Sequence, residues 1–213
     1  MEFESKGNYI ARMKETCWGF RHYKDIEPIW TPGEGDIAGF IHDEVIRQGH
    51  DTRIMDGKNR IEWMHNAWDY ASKRFRDGYT VPWADDLLVL GRLVEIHEND
   101  GGIRKANENV WIGDRRAPEG GGLVSAMILA LFDMADMVKP VLGLSNKNPN
   151  YTENNFDEKV REVETVDDWY LAYEWVHPWR DGNGRTGKIL HNWLLGTLDN
   201  PVLVADYFGG GNP

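Results

Sequence analysis

Apolar residues recur at intervals of three and four along most of the chain, the spacing that lines one face of an α-helix. Phe40, Ile41 and Val45, which flanks Glu44, predict a helix from Ile37 that ends near Gly49. Ile61, Met64, Trp68, Ala71 and Phe75 predict a longer one, closed at Asp77-Gly78. Trp83, Leu87, Leu90, Val94 and His97 form a third stripe between Val81-Pro82 and Asp100-Gly101-Gly102. Leu123, Met127, Ala130, Leu131 and Met134 form a fourth, which stops before Pro140. Trp169, Ala172, Tyr173 and Val176 make a fifth, opened by Thr165 and Asp168 as a capping box. A sixth runs from Arg185 through Ile189, Leu190, Trp193, Leu194 and Leu198 to Asp199-Asn200-Pro201. The helical rhythm breaks once: Ile103-Arg104 and Val110-Trp111-Ile112-Gly113, separated by Lys105 to Asn109, predict the two strands of a hairpin.

The expectation is an all-α protein with one small hairpin. Its first 35 residues are turn-rich and read as an arm packed by its aromatics, with a short helix around Asn8 to Glu15. Residues 1–80 are expected to form this arm and the helices packed on a core over 81–200, and 201–213 a tail that frays at Gly209 to Pro213.

A chain of 213 residues with 41% hydrophobic residues and ten Trp can bury a substantial core. The net charge of −11 and a pI near 5.1 argue against nucleic-acid binding, which needs a cationic surface. Cys17 is the single cysteine, so no intrachain disulfide forms. MEFESKG lacks the apolar run of a signal peptide, and Ala126 to Phe132 is too short to span a bilayer. These features predict a cytoplasmic protein without a membrane partner.

The chemistry is concentrated in His177 to Lys188, HPWRDGNGRTGK, between the last two helices. Pro178 forces the chain out of the helix just after His177. Gly182 and Gly184 let main-chain N–H groups approach a ligand closely. The next helix adds N–H donors and the positive end of its dipole, so the loop suits a phosphate. Arg185 and Lys188 lie on neighbouring turns of one side of that helix. Asp181 offers a hard oxygen suited to Mg2+, which takes one or two carboxylates plus phosphates. His177 can accept a proton near neutral pH. The six other histidines, His22, His42, His50, His65, His97 and His191, read as structural or exposed.

This segment resembles the signature of the Fic (filamentation induced by cAMP) family, H-P-F-x-D/E-G-N-G-R-x-x-R. Trp179 replaces the usual Phe and keeps a large apolar anchor. Lys188 replaces the second Arg and keeps the charge without the bidentate fork. The resemblance implies a helical bundle with a β-hairpin flap that holds a target segment by strand-like main-chain bonds. Gly101, Arg104, Val110, Ile112 and Gly113 match the flap's texture, so Val110, Trp111, Ile112 and Gly113 are the expected docking strand. It further implies AMP transfer from ATP to a Ser, Thr or Tyr hydroxyl of a target protein. By position, His177 would be the base and Asp181 the Mg2+ ligand. Gly182, Asn183 and Gly184 would hold the phosphates, and Arg185 and Lys188 would neutralise them. Gly184 separates the chain from the Doc-like kinase branch, where Lys commonly stands.

Two alternatives remain at this level. Gly182 to Lys188 also fits the start of a P-loop, with Val202 to Asp206 as a Walker B strand, but Ile189 stands where a Ser or Thr should follow. The other is a degenerate or toxin-type Fic domain silenced by a partner. The family's inhibitory helix carries S/T-x-x-x-E-G/N, whose Glu pairs the second motif Arg. Thr52 to Gly57 comes nearest, with Asp56 in place of Glu, so inhibition is expected from a separate antitoxin-like protein.

Overall fold

The computed structural model describes residues 36–112, 115–138 and 165–204. The described chain is mainly helical, as the periodicity predicts. Its elements are α1 (Ile37–Arg47), α2 (Met55–Arg76), α3 (Ala84–Val94), β1 (Trp111–Ile112), β2 (Arg115–Arg116), α4 (Gly122–Val138), α5 (Val166–Val176) and α6 (Asn183–Leu195). The Asn8 to Glu15 helix, Gly113 and the tail from residue 205 lie outside the described residues.

The longest helix, α2, packs along α3 and also meets α1 and α6. In turn α6 packs on α5, and α5 on α4. One apolar cluster draws on all six helices, including Phe40, Trp68, Leu90, Leu131, Trp169 and Trp193. Three buried indoles satisfy their N–H groups on distant carbonyls: Trp68 on Leu198 at 2.9 Å, Trp169 on Leu131 at 2.7 Å and Trp193 on Tyr79 at 2.7 Å. The large side chains therefore fill the core and also tie its elements together.

Helix ends follow their caps. At the start of α5, Thr165 accepts from the Asp168 N–H at 3.1 Å, and the Asp168 carboxylate accepts from the Thr165 N–H at 3.2 Å. This is the capping box that the sequence predicts. The third helix is shorter than its stripe, because Glu95 leaves helical geometry and His97 sits exposed beyond it, edge-on to Trp63.

The hairpin differs from expectation. Its strands are Trp111–Ile112 and Arg115–Arg116, paired antiparallel with Trp111 opposite Arg116. Val110 extends the ladder by accepting from the Ala117 N–H at 2.9 Å. Ile103-Arg104 is not the partner strand: the Arg104 N–H donates to the Pro178 carbonyl instead, at 3.1 Å. Two-residue alternation over so short a segment does not reveal which neighbour it pairs with, whereas the tight 112–115 connection closes the shortest loop.

Candidate active site

The site begins where α5 ends. His177 is the C-cap of α5 at φ 48°, in the left-handed region, and is the one non-glycine residue there among the described residues. Its main-chain N–H donates to Tyr173 at 3.0 Å, and its ring Nδ1 lies 3.1 Å from the Glu174 carbonyl. A carbonyl can only accept, so Nδ1 carries the proton and Nε2 keeps a free lone pair. The side chain is 15% exposed. Burial pushes the imidazole down to about 4; the Glu174 carbonyl opposes the shift and the charge of Arg104 adds to it. The ring is a neutral proton acceptor at physiological pH.

Past His177 the loop is fixed from inside. Trp179 is fully buried, and its benzo ring fills the space beside Gly91 of α3, where a Cβ would lie only 2.1 Å from the indole. The Asn183 side chain accepts from the Trp179 N–H at 2.8 Å and donates to the Trp179 carbonyl at 2.9 Å. Its amide oxygen and one amide N–H are thereby engaged within the loop. Gly182 takes φ 79° with Val94 pressed against it, and a side chain there would be strained and would meet Val94 at 2.9 Å. No side chain caps α6 at this residue, and the first N–H groups of any helix lack partners inside it.

A buried ionic web lies beside that helix start. Arg185 donates to the Val94 carbonyl at 3.0 Å and to the Glu95 carboxylate at 3.0 Å, with Asp181 at 3.5 Å. Arg60 of α2 reaches Glu95 as well, and Asp181 at 2.9 Å. Burial favours the neutral form of Glu95 and leaves its carboxyl above the usual range despite Arg185 and Arg60. Burial also opposes ionisation of Asp181, but Arg185, the Gly182 N–H and Arg60 overcome it and hold that carboxyl low. Lys188 is buried with Glu44 of α1, Nζ to Oε1 at 2.8 Å. Glu44 also takes the Gln48 amide at 2.6 Å, and Gln48 accepts from Arg185 at 3.3 Å.

Residues 142–195 match the sequence model of the Fic/DOC family. Over that stretch, which holds the motif and the helices on both sides of it, the chain is similar to Fic domains. No curated protein and no solved structure matches the chain. The Fic motif is thus a helix C-cap, a pinned loop and a helix N-terminus, which bring His177, Asp181, Gly182, Gly184, Arg185 and Lys188 to one place. The P-loop alternative is overturned, because a helix precedes the glycines and Val202 to Val204 forms no strand.

Asp56 does not play the part of an inhibitory acid on Lys188. It is exposed in the first turn of α2 and pairs with Arg60 at 3.1 Å. The acid on the Fic motif's last cation is Glu44, which the sequence reading passed over. A signal was present: Glu44 falls between Ile41 and Val45 on the buried stripe of α1, where a carboxylate needs a partner. Arg60 was missed in the same way, four residues before buried Met64 on α2. His50 is half-buried at this edge, its pKa lowered by burial and by Arg60 and Arg185.

Among the described residues no group of three His, Cys, Asp or Glu side chains could hold a metal ion. Asp181 alone is 39% exposed and ionised, which fits Mg2+ arriving with phosphates and needing one protein carboxylate. No helix of the described residues is long and apolar enough to cross a membrane.

Proposed function

We propose that the chain acts as a Fic domain and moves AMP from ATP to a Ser, Thr or Tyr hydroxyl of a target protein. The observation that carries this reading is the His177 ring, whose Nδ1–H on the Glu174 carbonyl leaves Nε2 as acceptor beside an uncapped helix N-terminus. The target hydroxyl gives its proton to Nε2 while its oxygen bonds the α-phosphorus. The bond from that phosphorus to the bridging oxygen breaks, and pyrophosphate leaves. Such a transfer needs positioning and charge neutralisation more than covalent help. The N–H groups that open α6 hold the phosphate oxygens, and Arg185 in the first turn adds its charge. Asp181 would hold Mg2+, which supplies further neutralisation of the phosphates. The hairpin with exposed Trp111 offers the target its main-chain edge. Transfer of label from α-labelled ATP to protein in a lysate tests the reading, with His177→Ala as the control. Label from γ-labelled ATP alone would move it to a Doc-like phosphotransferase.

One observation favours a second reading, in which this conformation is a restrained one. Both motif cations are engaged by buried carboxylates, Lys188 by Glu44 and Arg185 by Glu95. Glu44 must release Lys188 before a terminal phosphate can reach it. Restraint within the chain is thereby preferred to a separate antitoxin-like protein. Glu44→Gln is expected to raise the rate of AMP transfer at least tenfold, while loss of the buried partner lowers stability by about 3 kcal/mol. Unchanged transfer with unchanged ATP binding would make the pair purely structural and return the search to an inhibitory partner.

A further inference from the structure

Arg104 is a fully buried charged group that the proposed chemistry leaves unexplained. It is 1% exposed, and its guanidinium bonds main-chain carbonyls instead of a carboxylate. Nε donates to His177 at 2.7 Å, one terminal nitrogen to Val176 at 3.1 Å and the other to Glu108 at 3.4 Å. Its own N–H donates to Pro178 at 3.1 Å, and its carbonyl accepts from Gly121 at 2.9 Å. The nearest acid, Glu108, turns its carboxylate to Arg180 at 2.7 Å.

A buried guanidinium without a carboxylate is unfavourable unless its donors are satisfied and its charge is opposed. The last carbonyls of α5 do both, since they are the orphan acceptors of a helix and the negative end of its dipole. Helices that end on a left-handed residue usually place a glycine there. Here that position belongs to His177, which pays a steric penalty for being there. The planar fork of Arg104 spans the two carbonyls on either side of the His177 α-carbon, a grip that a point charge cannot reproduce.

We propose that Arg104 is a positioning residue for the base: it clamps the Val176 and His177 carbonyls, holds His177 left-handed and so fixes the ring with Nδ1 on Glu174. Through the Glu108 carbonyl the same guanidinium ties this helix end to the segment leading into the hairpin. The base and the target-docking edge thus share one anchor. The inference rests on His177 being the base, but the clamp itself is a statement about the ring.

The test is the nitrogen NMR of the His177 ring in the full chain, assigned by loss of its signals in His177→Ala, alongside AMP transfer. The native chain shows protonated Nδ1 and bare Nε2. In Arg104→Met the ring drifts toward the Nε2–H tautomer, kcat for transfer falls about 100-fold, and KM for ATP stays within about twofold. Arg104→Lys keeps the charge but cannot span both carbonyls, and is expected between the two. Native ring shifts in both folded variants overturn the clamp, whatever the transfer assay reads. If Arg104→Met does not fold, the Lys variant decides; if neither folds, Arg104 is a structural anchor and the positioning role is rejected. If the native chain transfers no AMP, the proposed reaction fails while the ring shifts still judge the clamp.

Discussion

His177 carries two unusual features at once, a left-handed backbone and an imidazole held neutral by burial. They lead to linked predictions. With a free-enzyme pKa near 4 the base remains unprotonated through the mildly acidic range, so the acid limb of kcat/KM for ATP should fall well below pH 6.5. A limb at or above 6.5 would show that the ring is solvated like a free histidine. The same shift acts on stability. Between about 4 and 6.5 the unfolded chain binds a proton at this residue that the folded chain does not, so this contribution is lost as pH falls through that window. His177→Gln should reduce the drop in melting temperature measured between pH 7 and pH 4.5. Trp179 offers a packing test at the same scale. Gly91→Ala places a Cβ against its benzo ring and should cost about 2 kcal/mol, most of which Trp179→Phe recovers in the double variant. Simple additivity in denaturant unfolding would mean that the two do not compete for the same space.

At the scale of elements, what the sequence made legible depended on range. The stripes revealed the six described helices because an apolar face repeats locally, and the Thr165–Asp168 cap marked the start of α5 to the residue. Thr165→Ala should lower stability by about 1 kcal/mol, read from chemical unfolding. The hairpin was mispaired because nothing local in Ile103-Arg104 shows that its N–H faces Pro178, far along the chain. The same limit hid the ionic web. The motif residues of the loop lie in one segment and could be read together, but Glu44, Arg60, Glu95 and Arg104 come from four other places and meet them only in the folded chain. Each nevertheless left a trace, as a charged residue on or beside an apolar stripe. A carboxylate or guanidinium on a buried face announces a partner without naming it.

For the whole molecule, the shared core joins α1 and α2 to the motif helices, so the elements bearing Glu44 and Arg60 are part of the body that holds the site. This gives α1 a direct hold on Lys188. The net charge of −11 sets a further condition on the proposed reaction, in which a polyanionic nucleotide approaching an acidic chain must be received by a local patch of N–H groups and cations. The central claim is that His177 drives AMP transfer at that patch. Its most direct test is incorporation of label from α-labelled ATP into protein substrates, with native chain and His177→Ala compared in the presence of Mg2+. The account predicts labelled protein with the native chain, none with His177→Ala, and undiminished ATP binding by the variant. Equal labelling by both chains would contradict it, as would label arriving only from the γ-phosphate.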